Sequence, residues 1–262
     1  MKPTPVYQRI ADDLRQAVAD GTYPPGSKLP TENVLTERYE TSRATVRQGL
    51  GVLVNEGLVE PRRPQGYFVI EHKRLVYRPQ AEFRRRPPAV DIFTNLVAEY
   101  DGRAPSQDIE VSIVEPTQMV RDRLGLEAGE LVAARRRVRK LDGTAYNLND
   151  SHVRLSLVQG TDWMTPADVA RGTNAVLAEL GHEIVYALHE FYLRMPSPQE
   201  AQRLNLGAGV PIAEHYATGF DADETPIQVT VSIVPGDRHV IVFDSYRDRE
   251  NSDQPRIPWG AP

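Results

Sequence analysis

The chain has 262 residues, 40% hydrophobic and 26% charged, and no cysteine, which fits a globular protein and excludes disulfide staples, thiolate nucleophiles and cysteine zinc sites. No run approaches the ~18 consecutive apolar residues of a membrane span, and Asp12 and Asp13 fall where a secretory signal would be apolar, so a cytoplasmic protein with no membrane partner is expected. The net charge of -5 divides unevenly: residues 1–88 carry 15 Lys and Arg against 10 Asp and Glu, and residues 89–262 carry 16 against 26, so a polyanion partner is expected for the first part alone.

Val6, Ile10, Leu14 and Val18 recur every four residues and predict an amphipathic helix over residues 5–20, closed by Gly21. Thr31 then serves as N-cap of a short helix over Glu32–Tyr39, with Val34, Leu35 and Tyr39 turned inward. After the polar turn Glu40-Thr41-Ser42, a third helix runs from Arg43 to Glu56 with Val46, Leu50 and Leu53 on one stripe. Two short helices joined in this way predict a helix-turn-helix. Beyond Gly57, Leu58–Glu60 and Gly66–Ile70 predict two strands around the loop Pro61–Gln65, which carries Arg62 and Arg63 and forms a wing.

Arg43 and Arg47 lie one turn apart, displaced from the apolar stripe and next to Ser42 and Thr45. Arginine pairs with guanine edges and hydroxyls with phosphates in a major groove. Two arginines on a solvated helix face serve solubility as readily, and it is the helix-turn-helix frame with its basic wing that favours DNA.

The ordered segments Leu29-Pro30-Thr31-Glu32, Thr41-Ser42-Arg43-Ala44-Thr45-Val46-Arg47, Leu53 to Leu58 and Gln65-Gly66-Tyr67-Phe68-Val69 resemble the winged helix-turn-helix of GntR-family bacterial transcription regulators over residues 5–71. The resemblance implies DNA contacts by Glu32, Asn33, Ser42, Arg43, Thr45, Arg47 and the wing glycine Gly66. Gln65 departs from the basic residue or histidine common at that place.

Residues 72–88 hold Pro79, Pro87, Pro88 and the run Arg84-Arg85-Arg86, and are expected to be a linker whose arginines are a solvated charge run. Downstream, alternating segments at 109–113, 131–141, 146–155, 184–194, 212–220, 226–234 and 240–246 mix with short helices, an α+β pattern. Ser197, Pro198 and Glu200 spell a capping box that starts one of these helices. An internal repeat is visible: Arg123-Leu124-Gly125-Leu126-Glu127-Ala128-Gly129 echoes Arg203-Leu204-Asn205-Leu206-Gly207-Ala208-Gly209, and each copy leads into strand, acidic turn and strand. A pseudo-symmetric sheet is expected.

The copies differ in chemistry. Arg135, Arg137 and Arg139 alternate on one strand, and Asn147, Asn149 and Ser151 on the next, whereas Ala217 and Gly219 stand where the second copy aligns with Arg137 and Arg139. Arginine and amide on one hairpin face predict a site for a polar or anionic ligand, with an exposed, ordinarily charged sheet face as the equal alternative.

Arg-x-Arg before Asp142-Gly143, with Pro235-Gly236-Asp237-Arg238, resembles the effector domain of HutC-like GntR regulators, the chorismate-lyase-like UTRA domain, over residues 90–246. Asn149 and Gln228 are amides where sugar-phosphate-binding relatives often carry acids, so those effectors do not carry over. Arg137, Arg139, Asn149 and Thr230 are the expected effector contacts.

The six histidines include no pair at i, i+4, and no phosphate-binding glycine loop or Gly-x-Ser-x-Gly elbow occurs, so no metal, no cofactor and no enzyme activity are expected. The combined expectation is a winged helix-turn-helix at residues 1–71, a linker at 72–88, an effector-binding and dimerisation domain at 89–250 and a Pro-rich, poorly ordered tail at 251–262. Such a chain is expected to be a ligand-responsive repressor, released by a small polar or anionic effector, that binds a pseudo-palindromic double-stranded operator as a homodimer. A ligand-independent repressor, for example of a mobile element, and an enzyme on the chorismate-lyase-like fold are the alternatives.

Overall fold

A computed structural model describes residues 4–70, 75–82, 104–207 and 209–243, so the Arg84-Arg85-Arg86 run, Pro87, Pro88 and the tail at 251–262 lie outside the described residues. The chain divides into two compact units, the first formed mainly by residues up to 73 and the second mainly by those that follow.

The first unit contains α1 (Val6–Ala19), α2 (Glu32–Arg38), α3 (Arg43–Asn55) and a hairpin of β1 (Val59–Arg62) and β2 (Gly66–Val69). Ile10, Leu14, Leu35, Val46, Leu50, Leu53, Val59 and Val69 are buried in one core, the residues that the four-residue spacing selects. Gly49 brings α1 and α3 together closely, because a Cβ there would stand 2.7 Å from the Tyr7 carbonyl oxygen. The Tyr39 hydroxyl donates to Asp13 at 2.9 Å, which ties α2 to α1. Val34 departs from expectation: it is 50% exposed, while Leu35 and Tyr39 are buried. A seven-residue helix presents a narrow inner face, and Leu35 and Tyr39, four positions apart, fill it.

The second unit is built on β4 (Pro105–Val114), β5 (Val132–Leu141), β6 (Thr144–Arg154), β7 (Tyr186–Arg194), β8 (Ile212–Phe220) and β9 (Pro226–Pro235). They form one antiparallel sheet in the order β4-β5-β6-β9-β8-β7. The order reads symmetrically about the β6–β9 seam, as the sequence repeat predicts. In chain order each half also has the same helix between its first two strands, α4 (Gln118–Leu124) after β4 and α5 (Pro198–Leu204) after β7. The capping box of α5 is formed in both directions, with Ser197 N–H donating to Glu200 at 2.7 Å and Glu200 N–H to Ser197 Oγ at 3.3 Å.

Part of the stretch expected as linker is instead ordered structure. β3 (Leu75–Tyr77) pairs in parallel with β10 (His239–Ile241), and Leu75 N–H donates to the Arg238 carbonyl at 2.7 Å. Alternation cannot be read in three residues, which is why Leu75-Val76-Tyr77 passes as linker in the sequence.

No described helix is long and apolar enough to cross a membrane.

Candidate nucleic-acid interface and candidate effector site

At the head of α3, Ser42 is the N-cap, its Oγ accepting from Thr45 N–H at 3.2 Å and lying 3.0 Å from Thr45 Oγ1. Both residues expected to touch DNA therefore also hold the helix start in place, where free N–H groups favour an anion. Ser42, Arg43 and Arg47 are exposed, and Asn33 is exposed on α2.

Glu32 and Arg47 are joined, Arg47 Nε lying 2.9 Å from Oε1 and 3.0 Å from Oε2. That hydrogen bond shifts the Arg47 guanidinium upward, so it stays charged. The wing glycine Gly66 has φ of 118°, a conformation side chains rarely adopt, at the start of β2. Arg62, near the wing tip, is anchored by Glu60 at 2.7 Å and lies over the Phe68 ring at 4.6 Å.

In the second unit, register places Arg135, Arg137 and Arg139 opposite Ser151, Asn149 and Asn147. The next strand brings Thr230 opposite Ser151 and Ser232 opposite Asn149. These eight side chains share one face of the sheet and are buried. An exposed, ordinarily charged sheet face is thus ruled out. Every Asp and Glu among the described residues of the six strands, namely Asp108, Glu110, Asp150, Glu190 and Glu214, falls on the opposite face by the same alternation.

A connected network runs through the centre of this face. Arg137 donates to Asn149 Oδ1 at 3.2 Å and to Ser151 Oγ at 3.0 Å, and Asn149 Nδ2 donates to Ser232 Oγ at 2.9 Å. Ser151 Oγ lies 3.3 Å from Thr230 Oγ1, and Gln228 Nε2 donates to the same Thr230 oxygen at 3.3 Å. Three of the four expected effector contacts, Arg137, Asn149 and Thr230, are therefore joined by a chain of hydrogen bonds. The fourth, Arg139, is on the same face one step along the strand, opposite Asn147.

Arg135 has a different task. Its guanidinium donates to the carbonyls of Trp163, Thr165 and Ala167, holding the loop that follows the short 3-10 helix Asp162–Met164. Trp163, Val176 and Leu177 pack with Ala133 and Val153 at that end of the face. At the other end, Tyr77 packs with Ala213, Val234, Phe191 and Ile241. The polar band thus lies between two apolar clusters.

At one of the two positions where the second copy lacks the arginine of the first, Gly219 in place of Arg139, the reason is steric. A Cβ at Gly219 would stand 2.8 Å from Ile184 Cγ2, so Ile184 occupies the space that a side chain would need. Ser232 and Gln228 enter the network without having been expected as ligand contacts, although the alternation Gln228, Thr230, Ser232 along β9 carries the signal. His189, His215 and Tyr77 give no such signal. They meet only through the β7–β8 register and the placement of β3.

Comparison with known proteins agrees with this division. Residues 6–69 match the family of bacterial regulatory proteins named gntR, and residues 101–240 match the UTRA domain. The HTH-type transcriptional regulator SCO4628 of Streptomyces coelicolor is 30% identical over 92% of this chain and 92% of its own length. The transcriptional repressor NagR of Bacillus subtilis is 24% identical over 94% of this chain and 96% of its own. The mannosyl-D-glycerate transport and metabolism repressor MngR of Escherichia coli is 26% identical over 84% and 87%. A crystal structure of a GntR-family regulator superposes with a TM-score of 0.64 at 23% identity, over 94% of this chain and 99% of the other. These relatives are transcription regulators, in agreement with the expectation of no enzyme activity. The helix-turn-helix with its wing, the pseudo-symmetric sheet and the two matched segments together place the chain in the GntR family, as a HutC-like transcription regulator with a UTRA effector domain.

Proposed function

We propose that the chain is a repressor that binds a pseudo-palindromic operator as a homodimer and leaves it when a small polar or anionic effector occupies the polar band of the sheet. Residues 1–71 read DNA: Arg43 and Arg47 enter the major groove, with Ser42, Thr45 and Asn33 beside them. Glu32 takes part by steering Arg47, and Gly66 gives the wing its turn. Residues 89–250 bind the effector and hold the dimer together, because two recognition helices on a symmetric site need a two-fold partner. Arg137, Arg139, Asn149 and Thr230 contact the effector.

The observation that carries the reading is the buried cation Arg137, wired to amide and hydroxyl groups on a face from which the strands keep every described acid. Guanidinium, amide and hydroxyl groups gathered on one buried face offer a polar or anionic ligand several donors at once. The repressor direction is supported by NagR and MngR, both repressors by name.

Genome-wide mapping of the bound sites, followed by a screen of metabolites from the adjoining genes for loss of operator binding, tests the reading. Release by a polar or anionic metabolite is expected. Operator binding that no such metabolite changes would instead favour a ligand-independent repressor.

A further inference from the structure

The aromatic end of the polar band contains a second chain of polar groups. The Tyr77 hydroxyl lies 2.8 Å from His215 Nδ1, and His215 Nε2 lies 2.9 Å from His189 Nδ1. His215 is 3% exposed and Tyr77 7% exposed, and the Phe191 ring stacks on His215 with centroids 4.3 Å apart. Burial first, then the neighbouring His189, pushes the His215 imidazole down to about 3, so it is neutral at physiological pH. A neutral imidazole carries one N–H and one bare nitrogen. With both nitrogens engaged, the chain has a direction: either Tyr77 donates into it and His215 donates onward, or the reverse.

His215 stands directly opposite Ser232 in the β8–β9 register, on the same face. Ser232 accepts from Asn149, and Asn149 accepts from Arg137. Cross-strand neighbours on one face have Cβ atoms about 4.5–5.5 Å apart, which makes Ser232 and His215 adjacent side chains. Tyr77 itself belongs to β3, whose sequence position follows the DNA-binding unit by only a few residues and whose pairing with β10 fixes it in the second unit.

We propose that Tyr77 is a positioning residue for the effector site: through His215 it links the hold on β3 to the row Ser232–Asn149–Arg137, so that a change in that row loosens or tightens the strand leading back to the DNA-binding unit. This rests on the reading of the band as the effector site. It adds the route by which occupancy is felt in the chain between the units. Tyr77 acts through His215 and needs no contact with the ligand.

The test uses the full-length protein and requires neither effector nor operator. Amide hydrogen exchange is followed for Leu75, whose N–H donates to the Arg238 carbonyl, and for Val242, whose N–H donates to the Tyr77 carbonyl. Parent, Tyr77→Phe, Asn149→Ala and the double variant form a cycle. Tyr77→Phe, which keeps the ring and removes only the hydroxyl, is expected to speed exchange at both amides by roughly three- to tenfold, the size a single hydrogen bond carries. Asn149→Ala is expected to speed it by about threefold alone and to add nothing in the Tyr77→Phe background.

A Tyr77 that merely packs would give factors that multiply, and that result overturns the proposal. So does Asn149→Ala exchange at Leu75 and Val242 equal to the parent's. Exchange in α1 and β5 reports whether each variant is folded, and Ser232→Ala, which deletes one hydroxyl of the same row, replaces Asn149→Ala if the latter is not. Failure of every metabolite to release the operator would sink the effector reading and leave this cycle intact, so the two failures are separable.

Discussion

Arg47 lays its Nε against both carboxylate oxygens of Glu32, which couples the recognition helix to the helix before it. The contact uses the side of the guanidinium and leaves its terminal nitrogens without a protein partner among the described residues. Glu32→Ala is therefore expected to weaken operator binding through a less ordered Arg47, while changing stability by less than about 1 kcal/mol, as for other exposed ion pairs. Fluorescence anisotropy on a labelled operator and thermal melts of the same samples separate the two effects.

Arg43 is exposed on the same face. Arg43→Ala is expected to cost about 1–3 kcal/mol of operator binding if the side chain pairs with a base edge, and to relax sequence preference at that position. A folded Arg43→Ala, Arg47→Ala double variant that binds the operator as tightly as the parent would remove α3 from the interface.

Salt provides a check that is independent of any single residue. Neutralising 6–10 phosphates is expected to lose about 10³–10⁵ in affinity between 50 and 200 mM salt. An affinity that barely moves over that range would mean that the basic first module does not anchor on the backbone.

Gly49 and Gly51 form a matched pair on α3. A Cβ at 49 meets the Tyr7 carbonyl oxygen at 2.7 Å, whereas one at 51 meets nothing within 4 Å. Gly49→Ala is expected to destabilise the first unit by about 1–3 kcal/mol, since a backbone atom cannot step aside cheaply. Gly51→Ala is expected to stabilise it by about 0.5–1 kcal/mol through helix propensity. Chemical denaturation of both variants reads the opposite signs.

Acid acts on the second unit through its buried imidazoles. Burial depresses His152 and His239 to about 4 and, with His189, His215 to about 3, against an ordinary value of 6.5. The unfolded chain binds these protons first as pH falls, so the stability from keeping the rings neutral is complete above 6.5 and is lost progressively down to about 4 for His152 and His239 and to about 3 for His215. His152 and His239 each account for up to about 3 kcal/mol by about pH 4, and His215 for somewhat more at the acid end of its longer window. The described residues of the first unit include no histidine, so calorimetry across this window should show the second unit's transition falling while these buried rings contribute nothing to the first.

Much of this was legible in the sequence. The three helices follow from apolar spacing and, for the second, from Thr31 as its cap, and the six sheet strands from alternation, because both signals are local and repeat over several residues. The face carrying Arg137, Asn149 and Thr230 was legible too, since parity along a strand fixes its side. Burial of that face was not, because it depends on Trp163, Leu177 and Tyr77 arriving from elsewhere in the chain. The histidine pair was hidden for a related reason: His189 and His215 are 26 positions apart and meet only once β7 and β8 are in register. Val34, read as inward and found exposed, shows how little a seven-residue helix constrains its own orientation.

The β6–β9 seam means that neither half of the sheet is self-sufficient. Cut between Glu179 and Tyr186, the two fragments would each present a long central strand, Leu148 to Val153 on one and Gln228 to Ile233 on the other, with its hydrogen-bonding edge open. Because the halves share one architecture, each fragment is a fair imitation of the partner it has lost. Mixed fragments should reconstitute the parent sheet, while either one alone should close its edge against a copy of itself.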